Sequence, residues 1–180
     1  VLQGEKCTWV LSRLGVEIMR QPEQYTNIEV DTWVNEFNRL SSTRNFRMRS
    51  DAETLAAGVT QWCILNIDTR QVVDMSTLRD LYERNMVDEP SPTAAPARLR
   101  PAELTSSSER PVVYSDIDFN RHVNTLRYVD TIFDAISLEC IEHNNGIRID
   151  FNFIAEARYG ETLTIAHANE GNNWVFERSP

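Results

Sequence analysis

Residues 115–130 read SDIDFNRHVNTLRYVD. Two carboxylates (Asp116, Asp118), two carboxamides (Asn120, Asn124) and one imidazole (His122) fall just before an apolar pattern, Leu126, Val129, Phe133 and Ile136, that recurs in steps of three and four. That spacing predicts a helix with one apolar face, the most regular in the chain. The first turn of a helix leaves backbone N–H groups unpaired at the positive end of its dipole, so an oxygen developing negative charge is stabilised there. Val123 and Asn124 are the expected backbone donors. His122 can move a proton near neutral pH, Asn120 can orient a water or a carbonyl, and Asp118 can hold either neighbour. Ser115, Asp116, Asp118 and Asn120 are also good turn and capping residues, and that duty alone would account for them.

Downstream, Ile147, Ile149, Phe151 and Phe153 alternate with Arg148, Asp150 and Asn152, the pattern of a half-buried strand. The alternation slips at Ile154–Ala155, which predicts a bulge beside Glu156. A turn at Tyr159–Glu161 leads to strands around Leu163–Ile165 and Trp174–Phe176. Upstream, residues 88–110 with Pro111 hold five of the seven prolines and a Ser106–Ser108 run, the composition of an extended linker. Val112–Tyr114 reads as a brief strand.

Before the linker, strands are expected over 8–19, with Val10, Leu14, Val16 and Ile18 on one side, over 28–40, around Phe46 and Met48, and over 54–67, the last apolar on both faces as a central strand is. A turn at Asp68–Arg70 follows, then a short helix over 76–85 with Ser76 as its N-cap. One long helix with successive antiparallel strands gives an α+β fold, a sheet wrapped around a helix. The division is 1–87, a linker at 88–110, and 111–180.

Composition excludes several classes. A chain of 180 residues, 41% hydrophobic, can bury one substantial core or two small domains. Its apolar runs are far short of the ~20 residues that span a bilayer, and no signal-peptide pattern is evident, so neither an integral membrane protein nor a secreted one is expected. The net charge of −9 argues against a general nucleic-acid binder. Cys7, Cys63 and Cys140 are odd in number and widely spaced, so no disulfide framework, no metal site and no cofactor is expected, and a reducing cytoplasm fits best. His143 and His167 read as structural or solvated, and Arg44, Arg47 and Arg49 as a solvated strand face.

The run YSDIDFNRHVNTLRYVD resembles the signature of plant and bacterial acyl-acyl carrier protein thioesterases, in which an Asp-x-Asn-x-His motif opens the second of two hot-dog domains. TWVLSRLGVEIMRQP, VDTWV, TRNFRMRS and AAGVTQWCILNIDTRQV agree in order, so the resemblance covers nearly the whole chain. It implies two hot-dog folds in tandem, the first incomplete here and the second ending early. It also implies hydrolysis of fatty acyl-acyl carrier protein, with Asp118, Asn120, His122 and Glu156, within FIAEARYG, as catalytic residues. Several family members carry a cysteine directly after that glutamate. Here Ala157 stands in its place, so water is the expected attacking group. The first domain would shape the acyl pocket, for which Trp9, Leu11, Trp33 and Trp62 are candidates. The acidic carrier would meet arginines such as Arg121 or Arg127. Two alternatives share these residues: an acyl-coenzyme A thioesterase, and a non-catalytic acyl-thioester-binding or regulatory domain. The resemblance leaves monomer and homodimer both open. It places the protein in the bacterial cytoplasm, or in the plastid stroma for a plant source.

Overall fold

The computed structural model describes residues 6–100, 102–142 and 146–179; His143 lies outside them. The described residues form two compact units, one drawn from Val1–Leu99 and Asn145–Phe153, the other from Arg100–Asn144 and Ile154–Pro180.

The first unit is a five-stranded antiparallel sheet. Its strands are β1 (Cys7–Ile18), β2 (Glu29–Phe37), β3 (Ser42–Ser50), β4 (Glu53–Asn66) and, from far along the chain, β6 (Ile147–Asn152), in the order β2-β3-β4-β1-β6. β4 is central, as its two-sided apolar pattern predicts, and Leu55, Ala57, Val59 and Ile64 on it are buried. β1 departs from simple alternation. Leu11 pairs with Trp62 but Arg13 with Gln61, so Ser12 is the extra residue of a bulge. The bulge reverses the side on which residues before it point. Trp9 and Leu11, not Val10, therefore share the face of Leu14, Val16 and Ile18. Ser12 is tied down by its own polar groups, its hydroxyl donating to Gln61 O (3.0 Å) and its carbonyl accepting from Phe153 N (2.9 Å).

β6 is a correction to the expected division at 111–180. It completes the free edge of β1, with Leu14 opposite Phe151 and Val16 opposite Ile149, because an open strand edge and an apolar alternating segment satisfy each other's backbone groups. The predicted bulge at Ile154–Ala155 is instead the point where the chain leaves this sheet: residues 153–157 belong to no strand.

The helix expected over 76–85 is a 3₁₀ turn, Ser76–Leu78, continued by α1 (Arg79–Glu83). Met75, not Ser76, is at the N-cap position, and Asp74 just before it holds the start of the turn. The Asp74 carboxylate accepts from the Ser76 hydroxyl (2.6 Å) and backbone N–H (2.9 Å), and these bonds, helped by Arg39, hold it below the usual carboxylate range.

The proline-rich segment is a strap rather than a free linker as far as Leu99. Proline cannot join a ladder, so the segment is fastened through carbonyls and side chains. Glu89 O accepts from Trp33 Nε1 (3.1 Å), and the Glu89 carboxylate from Arg47 Nη1 (2.7 Å). Thr93 bonds Glu17, Ala94 O and Ala95 O each accept from Arg148 (3.2 Å), and Ala97 N donates to Asp150 (2.9 Å). Leu99 N donates to Asn152 Oδ1 (3.2 Å). The register puts Trp33, Asn45, Val59, Gly15 and Asp150 across one line of this strapped face. Arg47 and Arg49 are thus not a solvated row. Arg47 also pairs with Asp31 and lies 5.2 Å from the Trp33 ring centre, and Arg49 pairs with Glu29 and Asp31.

The second unit holds β5 (Ser106–Pro111), β7 (Thr162–Glu170) and β8 (Asn173–Ser179) in the order β5-β7-β8, with α2 (Thr125–Ala135) and α3 (Leu138–Glu142). The strand expected at Val112–Tyr114 lies earlier, at Ser106–Pro111, where Arg110 pairs with Leu163. Val112, Val123, Ala157, Leu163 and Ile165 form the core, and α2 rests on it through Tyr128. Among the described residues no helix is long and apolar enough to cross a membrane.

Gly15 sits beneath the strap. A Cβ there would lie 3.0 Å from Asp150 Oδ1, 3.1 Å from Arg148 Nη2 and 3.3 Å from Pro96 Cα. Gly15→Val is expected to destabilise by about 1–3 kcal/mol through overpacking, read as a lowered urea midpoint. An unchanged midpoint would show that the strap does not bind this face.

Candidate active site

The candidate residues hang from one buried carboxylate. Asp116 ends the 3₁₀ turn Tyr114–Asp116 and is 1% exposed. Its Oδ1 accepts from Arg110 Nη2 (2.6 Å) and its Oδ2 from Val113 N (2.9 Å). Burial pushes this carboxyl up. The Arg110 bond, the Val113 N–H and the charges of Arg110 and Arg127 outweigh that and hold it below its ordinary value. The backbone carbonyl of the same residue accepts from Asn124 N (2.8 Å), and Ile117 bridges Val123. The segment between them is thereby closed into a narrow loop.

Asp118 shapes its interior. Asp118 N donates to His122 O (2.9 Å), while its Oδ1 accepts from Asn120 N (2.8 Å) and His122 N (3.2 Å). Arg121 takes φ +64°, the left-handed turn that closes the loop, and its N–H donates to Asp118 O (3.0 Å). Asn120 is exposed at the turn. Asn124 caps α2, its Oδ1 accepting from Leu126 N (2.9 Å).

The return edge of the loop meets the segment carrying Glu156. His122 bridges Arg158, and Val123 N donates to Ala157 O (2.8 Å). Those ties bring His122 Nε2 to 3.3 Å from Glu156 Oε2, with the two side chains 26% and 33% exposed. An imidazole and a carboxylate this close together that still reach solvent can accept a proton from water and return it. Ala157 is fully buried in the core against Val123 and Leu163.

Of the sequence-predicted residues, Asp118, Asn120 and His122 share the loop, and Glu156 is brought to His122. The oxyanion donors are a correction. Val123 N is bonded to Ala157 O and Asn124 N to Asp116 O, so neither points to an empty acceptor position. Of the acyl-pocket candidates, Trp9, Leu11 and Trp62 share one face of the first sheet, whereas Trp33 lies under the strap on the other. Arg110 and Arg178, whose roles the sequence left unread, hold the loops in place, and Asp116 does so in the turn duty expected of it. Among the described residues no cluster of His, Cys, Asp and Glu is placed to hold a metal ion.

Residues 1–82 match the acyl-ACP thioesterase N-terminal domain, and residues 100–178 the acyl-ACP thioesterase C-terminal domain. The chain belongs to the acyl-ACP thioesterase family. Its similarity to an oleoyl-acyl carrier protein thioesterase of Arabidopsis thaliana chloroplasts is 25% identity, over 94% of this chain and 50% of that protein. The chain thus spans half or less of the length of such plant relatives. A crystal structure of an acyl-ACP thioesterase from Bacteroides thetaiotaomicron superposes with TM-score 0.85 at 29% identity, covering 98% of this chain and 72% of that one. The fold also matches that of a 12:0-ACP thioesterase from Umbellularia californica, with TM-score 0.78 at 19% identity over 94% of this chain and 68% of that one. The α+β hot-dog fold of these acyl-ACP thioesterases is the fold of this chain.

The Asp116 anchor has a measurable pH signature. Its lowered folded value contributes stability that is fully present above the unfolded value, near pH 3.9, and is lost as pH falls through the folded value. Arg110→Met is expected to cost roughly 3 kcal/mol at pH 7 by leaving a buried charge short of its partner. The gap from wild type should narrow in acid. Urea unfolding from pH 7 to 3 checks this, and a gap that stays constant would contradict it.

Proposed function

We propose that this protein hydrolyses fatty acyl-acyl carrier protein thioesters, and that Asp118, Asn120, His122 and Glu156 carry the reaction. What supports the mechanism is the 3.3 Å approach of His122 Nε2 to Glu156 Oε2 on loops braced by Asp116 and Asp118. Family membership supports the substrate class.

In this reading Glu156, with His122, takes a proton from a water molecule whose oxygen attacks the thioester carbon. The carbonyl electron pair moves onto oxygen, and Asn120 holds the acyl group at the loop turn. Collapse re-forms the carbonyl and breaks the carbon–sulfur bond. The proton held by the His122–Glu156 pair passes to the departing thiolate, giving free fatty acid and carrier thiol. Asp118 is a positioning residue that fixes the backbone of Asn120 and His122. No cysteine occurs in 118–122 or 153–160. Burial pushes the Cys63 thiol up, away from the thiolate form a nucleophile needs.

The acidic carrier needs an exposed cation beside the site. Arg127 is paired with Asp130 at 2.7 Å, whereas Arg121 stands exposed at the turn of the catalytic loop, so Arg121 is the proposed contact. The setting is the cytoplasm, or the stroma for a plant source, and the protein works as a monomer or homodimer.

His122→Ala and Glu156→Gln are each expected to lower kcat at least 100-fold with the thermal midpoint retained. Near-normal thiol release by both would sink the assignment. Arg121→Glu is expected to raise KM for acyl-carrier substrates several-fold at low ionic strength. About 0.5 M salt should erase that difference, because an exposed ion pair is screened at that concentration. A KM insensitive to both changes would remove Arg121 from the docking surface.

A further inference from the structure

We infer that Arg178 is a positioning residue for Glu156, gripping the backbone of the loop that carries the carboxylate and so setting its spacing to His122. The inference rests on the site assignment just made and extends it to a residue on a strand with no place in the motif.

Residues 153–157 belong to no strand, so the backbone around Glu156 has no ladder to hold it. On its C-terminal side Ala157 O is held by Val123 N at 2.8 Å. On the other side the two arms of one guanidinium serve the adjoining carbonyls. Arg178 Nη1 donates to Ala155 O (3.1 Å) and Nη2 to Glu156 O (3.3 Å). A planar fork that satisfies two carbonyls at once fixes the position and tilt of the two peptides that flank the Glu156 Cα, which a single point charge cannot do.

The location of Arg178 makes the cost of keeping it visible. It pairs with Ile165, a buried core residue of β7, on the face that also carries Trp174 and Phe176. An apolar side chain would suit that position. The arginine instead lies 6.0 Å from the ring centre of Tyr128, the α2 residue against the core, and its Nε is buried without a partner among the described residues. Half-burying a cation with one donor unmet is unfavourable. The two loop carbonyls are what offsets it. Since Glu156 reaches His122 across only 3.3 Å, a shift of about 1 Å in this loop is enough to cost roughly 100-fold in turnover.

The test places Arg178→Gln and Arg178→Lys in the wild-type and Glu156→Gln backgrounds, with kcat, KM and thermal midpoint measured on an acyl-acyl carrier protein substrate. In the wild-type background both are expected to lower kcat about 10- to 100-fold with KM within about twofold. Lysine gives no rescue, since an ammonium keeps the charge and loses the fork. In the Glu156→Gln background Arg178→Gln should cost no more than about twofold further, because its effect passes through Glu156. Should Arg178→Gln melt below the assay temperature, Arg178→Lys, which keeps the stem and the charge, carries the same comparison. Wild-type kcat in the Arg178 variants, an effect on KM alone, or an equal loss in both backgrounds overturns the inference while Glu156→Gln alone keeps its loss of at least 100-fold. Full turnover by Glu156→Gln overturns the site assignment itself, and this inference with it.

Discussion

A carboxylate taken out of water has to be met on every side, and Asp116 is met on every side by groups that the fold must bring to it. Its two oxygens are held by Arg110 and by the Val113 N–H, and its backbone carbonyl holds the N–H of Asn124. Strand β5, the 3₁₀ turn and the start of α2 are therefore fixed to one residue. The loop between 116 and 124 has both ends anchored before any catalytic side chain is considered. Asp118 then works inside a frame of set width, and the edge of that frame, His122 and Val123, pairs with Ala157 and Arg158. The approach of His122 to Glu156 is the last link in this chain of satisfied polar groups, and it depends on each earlier one.

The same rule, that a buried or extended backbone must find partners, organises the first unit. β6 completes the edge of β1, and the proline-rich strap, unable to join a ladder, binds the sheet through Glu89, Arg148, Asp150 and Asn152. Gly15 marks the point of contact by having no room for a side chain. Arginine serves repeatedly as the cross-link, at Arg47, Arg110, Arg148 and Arg178, each bridging separate segments of the chain. A planar donor fork suits carboxylates and paired carbonyls, which is the geometry these junctions present.

Much of this was legible in the residues. The two-sided apolar pattern of 54–67 marks the central strand, the spacing of Leu126, Val129 and Phe133 marks α2, and the polar run 116–124 marks the loop before it. Where reading failed, the cause was a long-range contact that alternation and spacing do not encode. A one-residue bulge at Ser12 moved Val10 to the other face. β6 paired with β1, whose facing residues lie 129–139 positions earlier in the chain, so its clean alternation gave its type and not its partner. The N–H groups of Val123 and Asn124 were spent on Ala157 and Asp116, because closing the loop used the donors a bare helix start would have left over. Arg178 carried one faint signal, a charge on the apolar-facing side of Trp174–Phe176.

The central claim is that water attacks the thioester directly, with Glu156 and His122 moving its proton. The most direct measurement is a single turnover with enzyme in excess, run in ¹⁸O-labelled water, with the fatty acid and the Glu156 peptide both analysed by mass. Direct attack places one labelled oxygen in the fatty acid and none in Glu156. Unlabelled fatty acid with the label in Glu156 would mean that the carboxylate itself attacked and formed an anhydride, and would contradict the account.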